Sequence, residues 1–255
     1  NRSLGLIKNG EAKVIVGTHS LFQSSVIFKN LAFAIVDEQH RFGVAQRLAL
    51  RSKGRETLKG LLPHQLMMSA TPIPRTLAMS YYADLDISTI NELPPGRIPV
   101  VTKLVSSRRR KELIAWVEKV CNKGRQVYWV CPVINETENS IKDGRTELKS
   151  AVATYNELAE HLPLLPIGLV HGKLNADEKA VVMDNFVANE IKLLVATTVV
   201  EVGVDVPNAS MMVIEHAERM GLSQLHQLRG RVGRGKYAST CVLLYQQPLS
   251  DLARA

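Results

Sequence analysis

The chain has 255 residues, of which 45% are apolar, so disorder throughout is excluded and one large or two smaller domains are expected. The formal charge of +8 favours a polyanionic partner without naming one. No apolar run approaches the ~20 residues of a membrane helix, and three cysteines without close spacing (Cys121, Cys131, Cys241) exclude a zinc or disulfide framework and fit reduced thiols in a cytoplasmic protein.

Short apolar runs alternate with helical patterns, which predicts an α/β protein built on parallel sheets. In chain order the predicted strands are Lys13–Gly17, Leu31–Val36, Gln65–Ser69, Pro99–Val105, Gln126–Cys131, Ile167–Val170, Lys192–Ala196, Met211–Glu215 and Ser239–Tyr245. Helices are predicted at Ile73–Tyr82, Arg108–Asn122, Ser150–His161, Ala176–Ala188 and Ser223–Arg229. Three prolines and a glycine between Glu92 and Pro99 forbid a continuous helix. Residues 94–99 are therefore expected to link a first lobe, 1–93, to a second, 100–255. Three predicted strands precede the break, too few for a closed core, so the first lobe is expected to be the second half of a domain whose beginning is missing. The polar stretch Asn135–Lys149 reads as a surface loop.

Several segments carry chemistry. Asp37-Glu38-Gln39-His40 follows an apolar strand, at the end where α/β sheets bind ligands. Two adjacent carboxylates there suit a magnesium nucleotide, and equally a solvated turn. Ser69-Ala70-Thr71-Pro72 ends the next strand; its hydroxyls suit nucleotide sensing or a helix cap. Arg219 to Lys236 holds five Lys or Arg residues and no acid. Its glycines allow close backbone approach, and arginine forks match phosphate oxygens. Thr197 to Asp205 offers hydroxyls for nucleic-acid phosphate and, through Gly203 and Asp205, a nucleotide contact. Gly17-Thr18-His19 and His171-Gly172 are weaker signals at strand ends.

Taken in order, Gly17 to His19, Asp37 to His40, Ser69 to Thr76, Thr198 to Asp205 and Gln227 to Arg234 resemble the motif series of superfamily-2 helicases. Gln39 in the second motif, Ile73-Pro74-Arg75 and His226-Gln227-Leu228-Arg229-Gly230 are closest to the variants of the RecG family, which migrates DNA branches. The resemblance implies a RecA-like fold, a partial lobe followed by a complete one, with ATP shared by the two lobes. It implies that Asp37 holds Mg²⁺, that Glu38 positions the attacking water, and that Gln227, Arg231 and Arg234 act from the second lobe, one arginine on the γ-phosphate. His40, Gly203 and Asp205 are implied to contact nucleotide, and Ser69 and Thr71 to couple its state to lobe closure. Thr18, His19, His171 and Thr198 are implied to face the DNA backbone.

One departure matters. The phosphate-binding loop G-x-x-x-x-G-K-[ST] is absent; Gly230 to Lys236 comes nearest, but Tyr237 takes the hydroxyl position and the segment follows a helix. The chain alone is therefore expected to be inactive as an ATPase and to bind DNA through basic residues. A transcription-repair coupling translocase and a non-catalytic nucleic-acid-binding module remain as alternatives. A dinucleotide-dependent oxidoreductase is disfavoured because no G-x-G-x-x-G follows a strand.

Overall fold

The computed structural model describes residues 2–39, 42–43, 53, 62–69, 86–92, 94, 96–131, 145–197 and 205–248. The chain divides into two compact units, Asn1–Leu85 and Asp86–Ala255. The proline-rich stretch 94–99 falls within the span of the second unit.

In the first unit, helix α1 (Arg2–Lys8) and a 3-10 turn (His19–Phe22) precede strands β1 (Phe33–Val36) and β2 (His64–Met67). The strands pair in parallel from Phe33 opposite His64 to Val36 opposite Met67. Ile7, Val26 and Phe28 form one small core with Leu4, Ile15, Leu21 and Leu31 around it, while Ala34 and Val36 pack with Phe22 and Phe42. Helix α1 was not legible in the sequence. Gly5 weakens its propensity, and what it gains is the burial of Ile7 beside Leu4.

The predicted strand Lys13–Gly17 does not form. Val14 and Val16 are 84% and 91% exposed, and Ile15 alone of the run packs into the core. Alternating apolar residues make a strand only where another strand accepts their backbone hydrogen bonds, and among the described residues none pairs with this run. The predicted helix Ile73–Tyr82 lies outside the described residues.

Among the described residues the second unit holds six parallel strands: β3 (Val101–Ser106), β4 (Gln126–Val130), β5 (Ile167–Val170), β6 (Leu193–Ala196), β7 (Ala209–Ile214) and β8 (Thr240–Tyr245). Their order across the sheet is β3-β8-β7-β4-β6-β5. Every residue of β4, β6 and β7 is buried, as expected for central strands covered on both faces. Helices α2 (Arg110–Asn122) and α3 (Arg145–His161) cover one face, packing Leu113, Val117 and Leu158 on Val127, Trp129 and Val195. Helices α4 (Ala176–Val187) and α5 (Leu222–Arg229) cover the other, packing Phe186 and Leu228 on Tyr128, Leu194 and Met212.

Local signals set several ends. Asn175 starts α4 with a capping box: its Oδ1 accepts the Glu178 N–H at 2.8 Å, and Glu178 Oε2 accepts the Asn175 N–H at 2.9 Å. Such caps are typically worth ~1 kcal/mol. Helix α3 begins at Arg145, five residues before the predicted Ser150, so the C-terminal end of the predicted loop Asn135–Lys149 is helical. The polar composition of this stretch hid the start of the helix from a reading of apolar periodicity. Among the described residues no helix is long and apolar enough to cross a membrane. All three cysteines are buried as free thiols; burial pushes Cys121 and Cys241 up to about 12 and Cys131 higher, which leaves them chemically quiet.

Candidate nucleotide and nucleic-acid sites

In the first unit the ladder runs past the two strands. Met68 N–H donates to Val36 O at 2.8 Å, and Gln39 N–H donates to Met68 O at 3.0 Å. This extension sets Asp37-Glu38-Gln39 beside Met68-Ser69 at the carboxyl edge. Asp37 is exposed, and its Oδ1 accepts the Glu38 N–H at 2.8 Å. Glu38 is half-buried with φ of +50°, a left-handed conformation costing about 1 kcal/mol in a non-glycine residue. Strain of this kind clusters where a side chain must be aimed. An exposed carboxylate beside a second fits Mg²⁺, which binds through one or two carboxylates and completes its shell with water and phosphate oxygens. His40 and Thr71 lie outside the described residues. Thr18 and His19 are exposed at the start of the 3-10 turn, with Thr18 Oγ1 3.2 Å from Ser20 Oγ. Gly17 is needed for packing, since a Cβ there would sit 2.9 Å from Leu21.

The second unit carries polar chemistry on both edges of its sheet. At the carboxyl edge, His171 follows β5 and Thr197 follows β6, held together by Thr197 N–H donating to Val170 O at 3.1 Å. His171 Nδ1 and Thr197 Oγ1 are both buried without a hydrogen-bond partner among the described residues. A buried polar atom left unpaired costs ~1–3 kcal/mol, so two on neighbouring strands call for partners from outside the chain, either water or a ligand. Burial, and then the Lys179 charge, push His171 below its ordinary range against an opposing pull from Glu178, which favours the neutral imidazole. Thr198 lies outside the described residues. Thr197 was passed over in favour of Thr198 because an orphaned hydroxyl shows only in three dimensions.

At the amino edge, Asp205 stands four residues before β7, and Arg234 lies on the return from α5 to β8. Arg234 NH1 is 3.6 Å from Asp205 Oδ1, and its Nε donates to Gly230 O at 3.1 Å. This pair is largely exposed and contributes ~0–1 kcal/mol, so a phosphate can displace the carboxylate from the guanidinium at little cost. The glycines of Gly230 to Gly235 do structural work. Gly233 has φ of +79°, and a Cβ on Gly235 would run into the Pro207 carbonyl, which presses this loop onto the segment bearing Asp205. Tyr128 reports the same convergence from below: burial pushes its hydroxyl up to about 12, Arg231 and Arg234 pull it down, and Asp205 pushes it up. Gln227 lies one helical turn before Arg231 and is half-buried. An open cleft of about 830 Å³ adjoins them, with Arg97, Asp205, Asn208, Arg234, Lys236 and Tyr237 among its walls. Gly203 lies outside the described residues. The single motif from Thr197 to Asp205 thus begins at one edge of the sheet and ends at the other.

Sequence reasoning missed an ionic cluster at the carboxyl ends of β4 and β7. Glu215 is 5% exposed; it accepts from Trp129 Nε1 at 2.6 Å and pairs with Arg110 NH1 at 2.5 Å. Arg110 also pairs with Glu157 at 2.8 Å and lies over the Trp129 ring. Burial opposes the Arg110 charge, but the two carboxylates outweigh it and raise its pKa. Arginine and glutamate far apart in sequence gave no signal of this pairing.

The helicase conserved C-terminal domain family matches residues 111–236, and the DEAD/DEAH box helicase family matches residues 1–80. The ATP-dependent DNA helicases RecG of Haemophilus influenzae and Escherichia coli K12 are each 57% identical over 249 residues, 97% of this chain. RecG of Aquifex aeolicus is 52% identical over 245 residues. The chain spans 35% of the length of the first two relatives and 30% of the third. A structure of RecG bound to a three-way DNA junction superposes with a TM-score of 0.69 at 42% identity, covering 99% of this chain and 31% of that one. Mycobacterium smegmatis Lhr, bound to single-stranded DNA and AMP-PNP, has a TM-score of 0.61 at 17% identity over 89% of this chain and 31% of its own, which shows a shared fold alone. Two helicase families in succession on a RecA-like fold, with 57% identity to two RecG proteins over 97% of the chain, show that this chain belongs to the RecG family.

Proposed function

We propose that the chain is the C-terminal part of the motor of a cytoplasmic ATP-dependent DNA helicase that remodels branched DNA, such as stalled forks and Holliday junctions, in recombination and repair. The observation that carries this reading is the pair of orphaned polar atoms, His171 Nδ1 and Thr197 Oγ1, at one edge of a sheet whose other edge gathers Asp205, Arg231 and Arg234. A phosphodiester backbone offers acceptors and charge but little sequence information, which suits a hydroxyl and a neutral imidazole. A nucleotide needs cations for its phosphates and an acceptor for its ribose, which suits the other edge.

Asp37 and Glu38 take the roles of metal carboxylate and water-positioning base. Asp37 would hold Mg²⁺, which when bound would supply positive charge against the phosphates. Gln227, Arg231 and Arg234 act on the nucleotide from the second lobe, with one of the two arginines on the γ-phosphate, a role worth roughly 10³–10⁵ in rate. His40 and Gly203 line the nucleotide, Ser69 and Thr71 report its state, and Thr18, His19 and Thr198 join the DNA contacts. The family's loop for the β- and γ-phosphates has no counterpart in the 255 residues, so this chain by itself acts as a DNA-binding module.

The proposal is tested by anisotropy of a labelled three-way junction and of its single strands over a salt series. Binding should weaken linearly in log affinity against log salt, as counterion release requires. A flat salt response, or no binding at low salt, would contradict it.

A further inference from the structure

The cleft at the amino edge contains one group that phosphate binding does not explain. Tyr237 is 44% exposed and belongs to neither core cluster of the second unit. It lines the cleft, while the guanidinium of Arg125 covers one face of its ring from outside the cleft wall. Arg125 also holds the Tyr237 hydroxyl below its ordinary range, through a hydrogen bond first and its charge second.

The backbone that carries the ring is held on both sides of Tyr237. Ser239 Oγ donates to Tyr237 O at 3.0 Å, and two residues earlier Gly235 lies too close to the Pro207 carbonyl to carry a side chain. The wall beside it is equally fixed. Asn208 Nδ2 donates to Gly124 O at 2.9 Å and to Asn189 Oδ1 at 3.0 Å, tying the starts of β4 and β7 together. A solvent-facing aromatic outside both cores offers the cleft a flat apolar surface.

Around that surface stand three kinds of group: the ring, the Asp205 carboxylate, and the cations Arg97, Arg234 and Lys236. Inorganic phosphate needs only the cations, and a sugar needs only hydrogen-bonding groups. The combination of aromatic face, carboxylate and cations matches the base, ribose and phosphates of one nucleotide, and about 830 Å³ is room enough. A guanidinium behind the ring leaves the front face for a base to stack on.

We propose that Tyr237, backed by Arg125, is the base-stacking platform of this nucleotide half-site and makes it prefer a nucleoside diphosphate or triphosphate to inorganic polyphosphate. This inference rests on the nucleotide reading of Asp205 and Arg234 given above.

The test uses the 255-residue chain with ADP and with inorganic pyrophosphate, which match in phosphate count. Affinities are read from NMR titrations with labelled tyrosine rings, and base-to-ring proximity from cross-relaxation between the ADP base protons and the Tyr237 ring. ADP should bind roughly tenfold more tightly than pyrophosphate, the scale of one stacked base. Tyr237→Ala and Tyr237→Leu should remove that advantage and leave pyrophosphate binding intact, while Tyr237→Phe keeps it. Arg234→Gln should weaken both ligands. If Arg234→Gln weakens both but Tyr237→Leu leaves ADP unaffected, or Tyr237→Phe loses as much as Tyr237→Ala, stacking is overturned and the nucleotide reading stands. If neither ligand binds the unaltered chain, both are overturned. The cross-relaxation measurement needs no variant, so a poorly folding substitution cannot shield the proposal.

Discussion

Thr197 sets stability against binding within one side chain. Its buried hydroxyl has no partner among the described residues, so the folded chain bears a desolvation cost that the proposed DNA contact would offset, the hydroxyl donating a hydrogen bond to a phosphate oxygen. Thr197→Val swaps the hydroxyl for a methyl of similar shape. The variant should melt higher, by about 1 kcal/mol of stability, yet bind DNA roughly tenfold more weakly, since a hydrogen bond to a charged group is lost. Thermal unfolding and anisotropy on one preparation check both halves; a variant that is less stable, or equal in binding, would contradict the assignment. His171 makes a related case through pH. Its folded pKa is depressed below the unfolded value, so the unfolded chain binds the proton more readily. The stability His171 contributes is present above its unfolded pKa and is lost as pH falls through that value toward the depressed one. Unfolding should become easier on going from pH 7 to pH 5, and His171→Gln should flatten that dependence. A slope of opposite sign would show that the imidazole has found a carboxylate.

At the scale of elements, the Arg110–Glu215 pair joins α2 to the end of β7, with Trp129 of β4 and Glu157 of α3 completing it. Removing one partner of a largely buried pair strands the other. Glu215→Gln should cost about 2–4 kcal/mol, tempered because Arg110 keeps partial exposure and Glu157, and Arg110→Met with Glu215→Gln together should cost less than the sum of the two single changes. A double-mutant cycle in denaturant reads this coupling; strict additivity would contradict it. The same elements show what a sequence discloses. Strand β5 falls at its predicted bounds, Ile167–Val170, and β4, β6, β7 and β8 lie within two residues of theirs, because buried parallel strands are written as unbroken apolar runs. Lys13–Gly17 carries the same kind of run without a pairing partner, and pairing is a property of the assembled sheet. Asp37, Glu38, Arg231 and Arg234 could be picked out because their motifs are local. That Thr197 and Asp205 stand on opposite edges, or that Arg110 finds Glu215 more than a hundred residues away, depends on strand order, which no local pattern encodes.

For the molecule as a whole, the two units differ in what supports them. The second has a six-stranded sheet with cores on both faces, whereas the described part of the first has one pair of strands and two small clusters. The second unit should therefore unfold last, and hydrogen exchange should find its most protected amides in β4, β6 and β7. Maximal protection in β1 and β2 would contradict this. Without a phosphate-binding loop, the chain should show no ATP turnover with or without forked DNA, and DNA-stimulated turnover abolished by Glu38→Gln would contradict that expectation. The central claim is that the sheet of the second unit separates its two ligands, DNA at the carboxyl edge and nucleotide at the amino edge. Its most direct measurement is a paired titration of two double variants, His171→Ala with Thr197→Val and Arg231→Gln with Arg234→Gln, against a labelled DNA single strand and against ADP. The first should lose DNA affinity at least tenfold more than ADP affinity, and the second the reverse; equal losses of both ligands in either variant would contradict the separation.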